Sequence, residues 1–212
     1  MTINPVQFDK FALPLNKVLA RLGYAGGKTK LDSKINDILR EEIETAQKLL
    51  SPKQVEAFGA LSFAGAKGVN IEPSYIIGSR DIIKLLKGCG LAAGFAVTIG
   101  PALEQKRDQC LKDKETTRAL VLDAAGSVAV EELAGITNRQ IERLYAEKGY
   151  AATRRFSPGY GDWNVSGQKD LLDWLGAGQI GIKLTDAFEM LPEKSVSAIL
   201  GLKKQRLAAR DP

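Results

Sequence analysis

The segment TRRFSPGYGDW at 153–163 gathers side chains suited to holding a small ligand. Arg155, near its start, offers a planar guanidinium whose donors match a carboxylate or a phosphate. Pro158-Gly159 favours a turn with the glycine at positive φ, which exposes backbone N–H groups and lets a ligand approach the main chain. Tyr160 and Trp163 add aromatic faces, which attract cations. An anion donor, a cation-attracting face and open backbone so close together suit a zwitterionic or cationic small molecule. A surface turn with a salt-bridged arginine and core aromatics would use the same residues, and their types alone leave both readings open.

A second stretch, DAAGSVAVEE at 123–132, reads as helix. Gly126 and Ser127 thin one face, and Glu131 follows about one turn later. Glycine inside a helix costs about 1 kcal/mol relative to alanine and often marks the close approach of a backbone or a ligand. Glu131 beside such a cleared surface could meet a ligand's amino group; a solvated helix acid next to a packing glycine is the plainer alternative. GAGQIG at 176–181 has the GxGxxG spacing but the wrong setting. It follows helical LLDWL and leads into a strand-like segment, the reverse of a dinucleotide fingerprint, and Ile182 stands where a Walker loop needs lysine. It is expected to be a helix-ending glycine turn.

What is missing narrows the chemistry further. The 212 residues include no histidine and two cysteines, Cys89 and Cys110, with no CxxC. Histidine-based nucleophile pairs, histidine metal sites and four-cysteine clusters within one chain are therefore excluded, and no metal site is expected. Two free, buried thiols are expected, since disulfide scaffolds are far denser in cysteine. The net charge is +5, of which residues 203–212 carry +3, so the body is nearly balanced. Basic and aromatic residues do not interleave, which argues against a nucleic-acid partner and for a solvated basic tail. No apolar run approaches the ~18 residues of a membrane span, and MTINPVQFDKFALPL lacks a signal pattern, so the expected location is cytoplasmic.

The elements that must position these residues follow from periodicity. Pro14 to Gly23 reads as a short helix. Asp32 or Ser33 fits an N-cap, and Ile35, Ile38, Leu39, Ile43, Ala46 and Leu49 recur at helical spacing until Ser51-Pro52. Val55–Phe63 and Val69–Ile77 are strand-like, Ser79 caps a short helix, and LAAGFAVTI at 91–99 suits a strand buried on both faces. Residues 115–148 form one long helix or two joined near Gly135; as one, they would span ~50 Å and serve as the spine of the domain. Strands are expected at Tyr150–Phe156, Ile180–Leu184 and Ser195–Leu200, with a helix at Ser166–Leu175. The class is α+β: a mostly antiparallel twisted sheet, a long helix packed across it, and an N-terminal helical segment.

The C-terminal third resembles the activation domain of cobalamin-dependent methionine synthase, which binds S-adenosylmethionine. That family carries an arginine, three residues, then Gly-Tyr, as in Arg155 to Tyr160 here. The later pieces follow in the family's order: Leu171-Leu172, Gly181-Ile182-Lys183-Leu184-Thr185, Met190-Leu191-Pro192 and Ser195-Val196-Ser197. The helix with Ala124, Ser127 and Glu131 and the strand FAVTIG (95–100) also resemble free-standing members. Three stretches result within one compact domain: a helical and mixed segment at 1–78, the activation-like region at 79–202, and a basic tail at 203–212.

The resemblance implies a shallow groove for S-adenosylmethionine, facing a corrinoid held by another protein. Arg155 would hold the methionine carboxylate, Ser157, Gly159 and Tyr160 would line the site, and Glu131 would sit near the amino or sulfonium group. No residue would be catalytic, because cobalt is the nucleophile. The implied role is reactivation of a separate corrinoid-dependent methyltransferase, such as a methionine synthase core, by reductive methylation of cob(II)alamin with an electron donor such as flavodoxin or ferredoxin. The alternative is a partner-binding module that kept the fold and lost the ligand. The chain departs from the family where Pro-Ala-Cys-Pro-Asp after Gly-Tyr is replaced by Gly161-Asp162-Trp163, and where an expected tyrosine is aliphatic at Ile199 and Leu200.

Overall fold

The computed structural model describes residues 12–24, 32–63, 68–73 and 75–205. Helix α1 (Leu15–Arg21) leads to α2 (Ser33–Leu49), which Asp32 caps by accepting the Lys34 N–H at 3.0 Å. Leu50 turns to extended backbone ahead of Pro52, ending α2 as expected. Strand β1 (Lys53–Phe63) follows, then β2 (Val69–Ile71) and β3 (Tyr75–Ile77). These last two were expected as one strand; Glu72-Pro73 breaks them into a hairpin because proline cannot donate to the ladder.

Ser79 caps α3 (Arg80–Leu86) through its hydroxyl, which accepts the Ile82 N–H at 3.1 Å. Then come β4 (Leu91–Thr98), α4 (Ala102–Lys112) and α5 (Thr116–Ala146). Helix α5 is continuous over 31 residues and passes Gly135 without a break. Strand β5 (Tyr150–Ala152) is shorter than expected, the pairing of Phe156 with Ile199 being an isolated bridge. Helix α6 (Gly167–Leu175) ends at Gly176, φ +65°, and a 3-10 turn at Ala177–Ile180 follows. The GAGQIG stretch is thus a helix stop. Strands β6 (Lys183–Leu184), β7 (Met190–Leu191) and β8 (Ser195–Lys204) complete the chain. Lys203 and Lys204, expected in a solvated tail, belong to β8 and pair with Ala151 and Tyr150.

Six strands form one antiparallel sheet in the order β3-β2-β1-β4-β8-β5, with β6 and β7 a separate hairpin. Strand β4 lies inside it, and both faces are covered, as its unbroken apolar sequence requires. Ala93, Phe95 and Val97 face α5 and pack with Leu103, Leu122, Ala125 and Leu133. Ala92 and Ala96 face the other way, toward α6, with Leu171, Trp174 and Leu175. Long helix on one side and short helix on the other make an α+β sandwich. Among the described residues, no helix is long and apolar enough to cross a membrane.

Gly94 fits this sandwich for a local reason. A Cβ there would run into the Trp174 ring and lie 3.2 Å from Leu175 Cδ2. Gly94→Ala therefore overpacks the α6 face and is expected to cost about 1–3 kcal/mol, lowering Tm by roughly 2–4 °C per kcal/mol. Gly90→Ala, where nothing lies within 4 Å of the added carbon, should leave Tm nearly unchanged in the same calorimetric scan.

Candidate functional site

The site grows from the way β5 parts from β8. Thr153 still follows the strand, donating its N–H to the Gly201 carbonyl at 2.9 Å, and Phe156 exchanges two bonds of 2.8 Å with Ile199. Beyond Phe156 the chain turns away at Ser157. From Ile199 back to Ser195, no strand pairs with the outer edge of β8 among the described residues. A groove of about 440 Å³ fills that gap, bounded by Glu131 on α5, residues 154–158 and Tyr160, Gln168 on α6, Met190, and Ser195–Ser197 of β8.

Arg155 and Glu131, read from two separate stretches, meet here. Arg155 Nη2 donates to Glu131 Oε2 at 2.7 Å. Arg155 Nη1 is buried and has no hydrogen-bond partner. A buried, unsatisfied donor is unfavourable by about 1–3 kcal/mol, more for a charged group, so this half of the guanidinium fork stands at a cost to the fold. The Glu131 side chain is more than half exposed. The neighbouring Arg154 lays its guanidinium 5.6 Å from the Phe156 ring centroid.

The turn behaves as its composition predicts in part. Gly159 has φ +90° and donates its N–H to Trp163 O at 2.8 Å; nothing lies within 4 Å of where its Cβ would be, and it does not itself line the groove. Ser157 contributes backbone rather than hydroxyl, since its Oγ–H donates to Ser197 O at 2.6 Å. Tyr160 is 68% exposed, edge-on to Phe156 at 6.3 Å. Of the two readings left open for Trp163, the structure shows the core aromatic. It is 5% exposed, stacks on Phe156 at 6.4 Å, and packs beneath Gly167.

Gly126 and Ser127 also differ from the ligand reading. The space at Gly126 is filled by Leu103 and by the Lys194 side chain, whose ammonium donates to Ser127 Oγ at 2.9 Å and to Asp123 Oδ1 at 2.7 Å. Burial pushes the Asp123 carboxyl up, but Lys194 and Arg107 outweigh it and hold the carboxyl below its ordinary range. This part of α5 anchors the turn before β8, and Glu131 alone reaches the groove. The packing-glycine alternative is correct for Gly126, although Glu131 faces Arg155 rather than solvent alone.

Four groove residues carried little or no signal as site residues: Gln168, Met190, Ser195 and Ser197. Met190 and the Ser195–Ser197 segment stood out as family motifs, without an assigned contact. Gln168 was legible in principle, because it precedes Leu171 and Leu172 at helical spacing and so places an amide on the apolar face of α6. Among the described residues, no cluster of three or more His, Cys, Asp or Glu is placed to hold a metal.

Asp162 closes the loop against α3. Its carboxylate accepts from Ser79 Oγ at 2.6 Å and from the N–H groups of Arg80 and Asp81 at 2.9 and 3.1 Å. The Ser79 hydroxyl, then the backbone N–H groups, hold its carboxyl down at about 2. A carboxyl lowered by folding stabilises the fold above its unfolded pKa, roughly 3.9, and that contribution is lost as pH falls through the folded value. Asp162→Asn should therefore melt below the unmodified protein at about pH 6, and the gap should close between about pH 4 and pH 2. A gap that stays constant over that window overturns the anchoring role.

No curated protein matches the chain. Among solved structures, the crystal structure of the MetH reactivation domain bound to AdoHcy is similar, with a TM-score of 0.67 and 14% identity, over 98% of this chain and 79% of that one. Identity that low carries the fold alone, and the fold is shared. Residues 78–206 match the family model described as the vitamin B12 dependent methionine synthase, activation domain. That span holds every element from α3 to β8 and both walls of the groove, and on it the chain belongs to the vitamin B12-dependent methionine synthase activation domain family.

Proposed function

We propose that this chain binds S-adenosylmethionine in the groove beside β8 and acts in the cytoplasm as a reactivation component for a separate corrinoid-dependent methyltransferase, such as a methionine synthase core. The observation that carries the reading is the buried Arg155 Nη1 without a partner, set beside a half-exposed Glu131. A methionine carboxylate satisfies the free arm of the fork, and the adjacent amino group finds Glu131. The ligand in the solved relative bears on this only as a likeness.

The chain's own residues do binding and orientation. Arg155 and Glu131 fix the two charged ends of the amino acid. Gly159 keeps the turn beside the groove free of a side chain, and the exposed Tyr160 ring offers a π-face to the sulfonium side. In the complete assembly, the corrinoid, given one electron by a donor such as flavodoxin or ferredoxin, would supply the nucleophile that accepts the sulfonium methyl, and S-adenosylhomocysteine would be left in the groove. That chemistry asks no acid or base of this chain; what it requires is a fixed position for the methyl group. These 212 residues contain no histidine to ligate cobalt, which supports reading the corrinoid as held outside them.

A second reading, a partner-binding module that has lost the ligand, draws on Asp162, which bonds to the start of α3, and Trp163, which packs in the core, at the point of departure from the family. Calorimetric titration with S-adenosylmethionine separates the two. The unmodified chain should bind, and Arg155→Ala should weaken binding by roughly tenfold to a hundredfold, the equivalent of ~1.5–3 kcal/mol. No heat, either alone or with a methylcobalamin-carrying protein present, would favour the module.

A further inference from the structure

Gln168 lies in the first turn of α6 and is 5% exposed, beside the fully buried Leu171. A leucine would occupy that place without burying an amide, and an amide is unfavourable there unless its polar atoms are met. The Nε2 group meets two acceptors. It donates to Ser197 Oγ at 2.6 Å and to Met190 Sδ at 3.3 Å. Both acceptors border the groove. Ser197 is 2% exposed, and its carbonyl accepts the Ser157 hydroxyl at 2.6 Å. One amide thus ties α6 to β7 and β8 and, through Ser197, to the loop that carries Gly159 and Tyr160.

We infer that Gln168 is a positioning residue of the groove: it fixes Ser197 and Met190 and, through Ser197, holds the 157–160 turn in place opposite Arg155. The amide acts through Ser197 and Met190, to which its Nε2 donates. Its role is to keep β8 and the turn at a constant separation while the outer edge of β8 stands unpaired. For its effect on affinity the inference rests on the proposed binding of S-adenosylmethionine; for its effect on the turn it does not.

The test uses Gln168→Met, which keeps the length and removes both N–H donors, together with Ser197→Ala and the double variant. Amide exchange is read at Phe156, Gly159 and Tyr160, whose N–H groups bond to Ile199, Trp163 and Ser157. Gln168→Met should speed exchange there about tenfold while Ala93, Phe95 and Val97 in β4 keep their protection. Affinity for S-adenosylmethionine should fall about tenfold in either single variant, and the double variant should be no worse than the poorer single one, because the amide acts through the hydroxyl. Unchanged exchange in the turn overturns the inference whether or not the ligand binds, and additive losses in the double variant overturn it too. If the unmodified chain shows no binding, the proposed function falls and exchange still decides the role of Gln168. Should Gln168→Met fail to fold, Ser197→Ala must by itself loosen the turn, and protection kept there overturns the inference.

Discussion

Strand β8 pairs with β4 over eight residues on one side and with β5 over three on the other, and the rest of the groove follows from that asymmetry. Full pairing on the β4 side sets β8 rigidly in the sheet, with Ala198, Leu200 and Leu202 in the α5 core and Ile199 in the α6 core. Incomplete pairing on the other side leaves the stretch from Ser195 to Ser197 beside a gap. A sheet edge is a liability when it lies open to solvent. Here it is walled on both flanks, by the arginine-bearing loop from the α5 side and by Gln168 and Met190 from the α6 side, so the edge becomes the floor of a cleft.

Helix α5 supplies acids to two cations with opposite purposes. Asp123 meets Lys194, whose side chain is 12% exposed, at the turn before β8. Glu131, about two turns on, meets Arg155 at a surface where both partners stay partly wet. In the first pair the lysine is largely buried and further bonded to Ser127, and Arg107 also reaches Asp123, so the pair acts as structure. The second leaves one guanidinium nitrogen without a partner, an arrangement worth little to stability. Because one helix carries both acids, the start of β8 and the arginine of the groove share a single straight reference.

Much of this was legible in the sequence where local rules and burial agree. The unbroken apolar run of β4, the caps at Asp32 and Ser79, and the glycine stop of α6 were each read from residue type and spacing, and each is found. Arg155 and Glu131 were singled out separately, but spacing could not show that they touch, since 24 residues and the end of a helix separate them. Trp163 was left open between two readings because an aromatic in a turn looks the same from sequence whether it faces solvent or a core, and it proves to be a core aromatic. Gly126 was ambiguous for a similar reason: the side chain that fills its space, Lys194, comes from 68 residues later. The early end of β5 at Ala152 is a tertiary effect, set by where Thr153 and Phe156 meet β8 rather than by strand propensity.

The course of β8 to Lys204 has a practical side for anyone cutting or joining this chain. Strand β5 takes its three partners from Leu202, Lys203 and Lys204, and Gln205 adds a bond to the Gly149 carbonyl at 2.8 Å. A boundary drawn at Leu202 on grounds of charge would strip β5 of two partners and free the entry to the arginine loop. A boundary beyond Gln205 keeps the hem of the sheet stitched, and with it the approach to the groove.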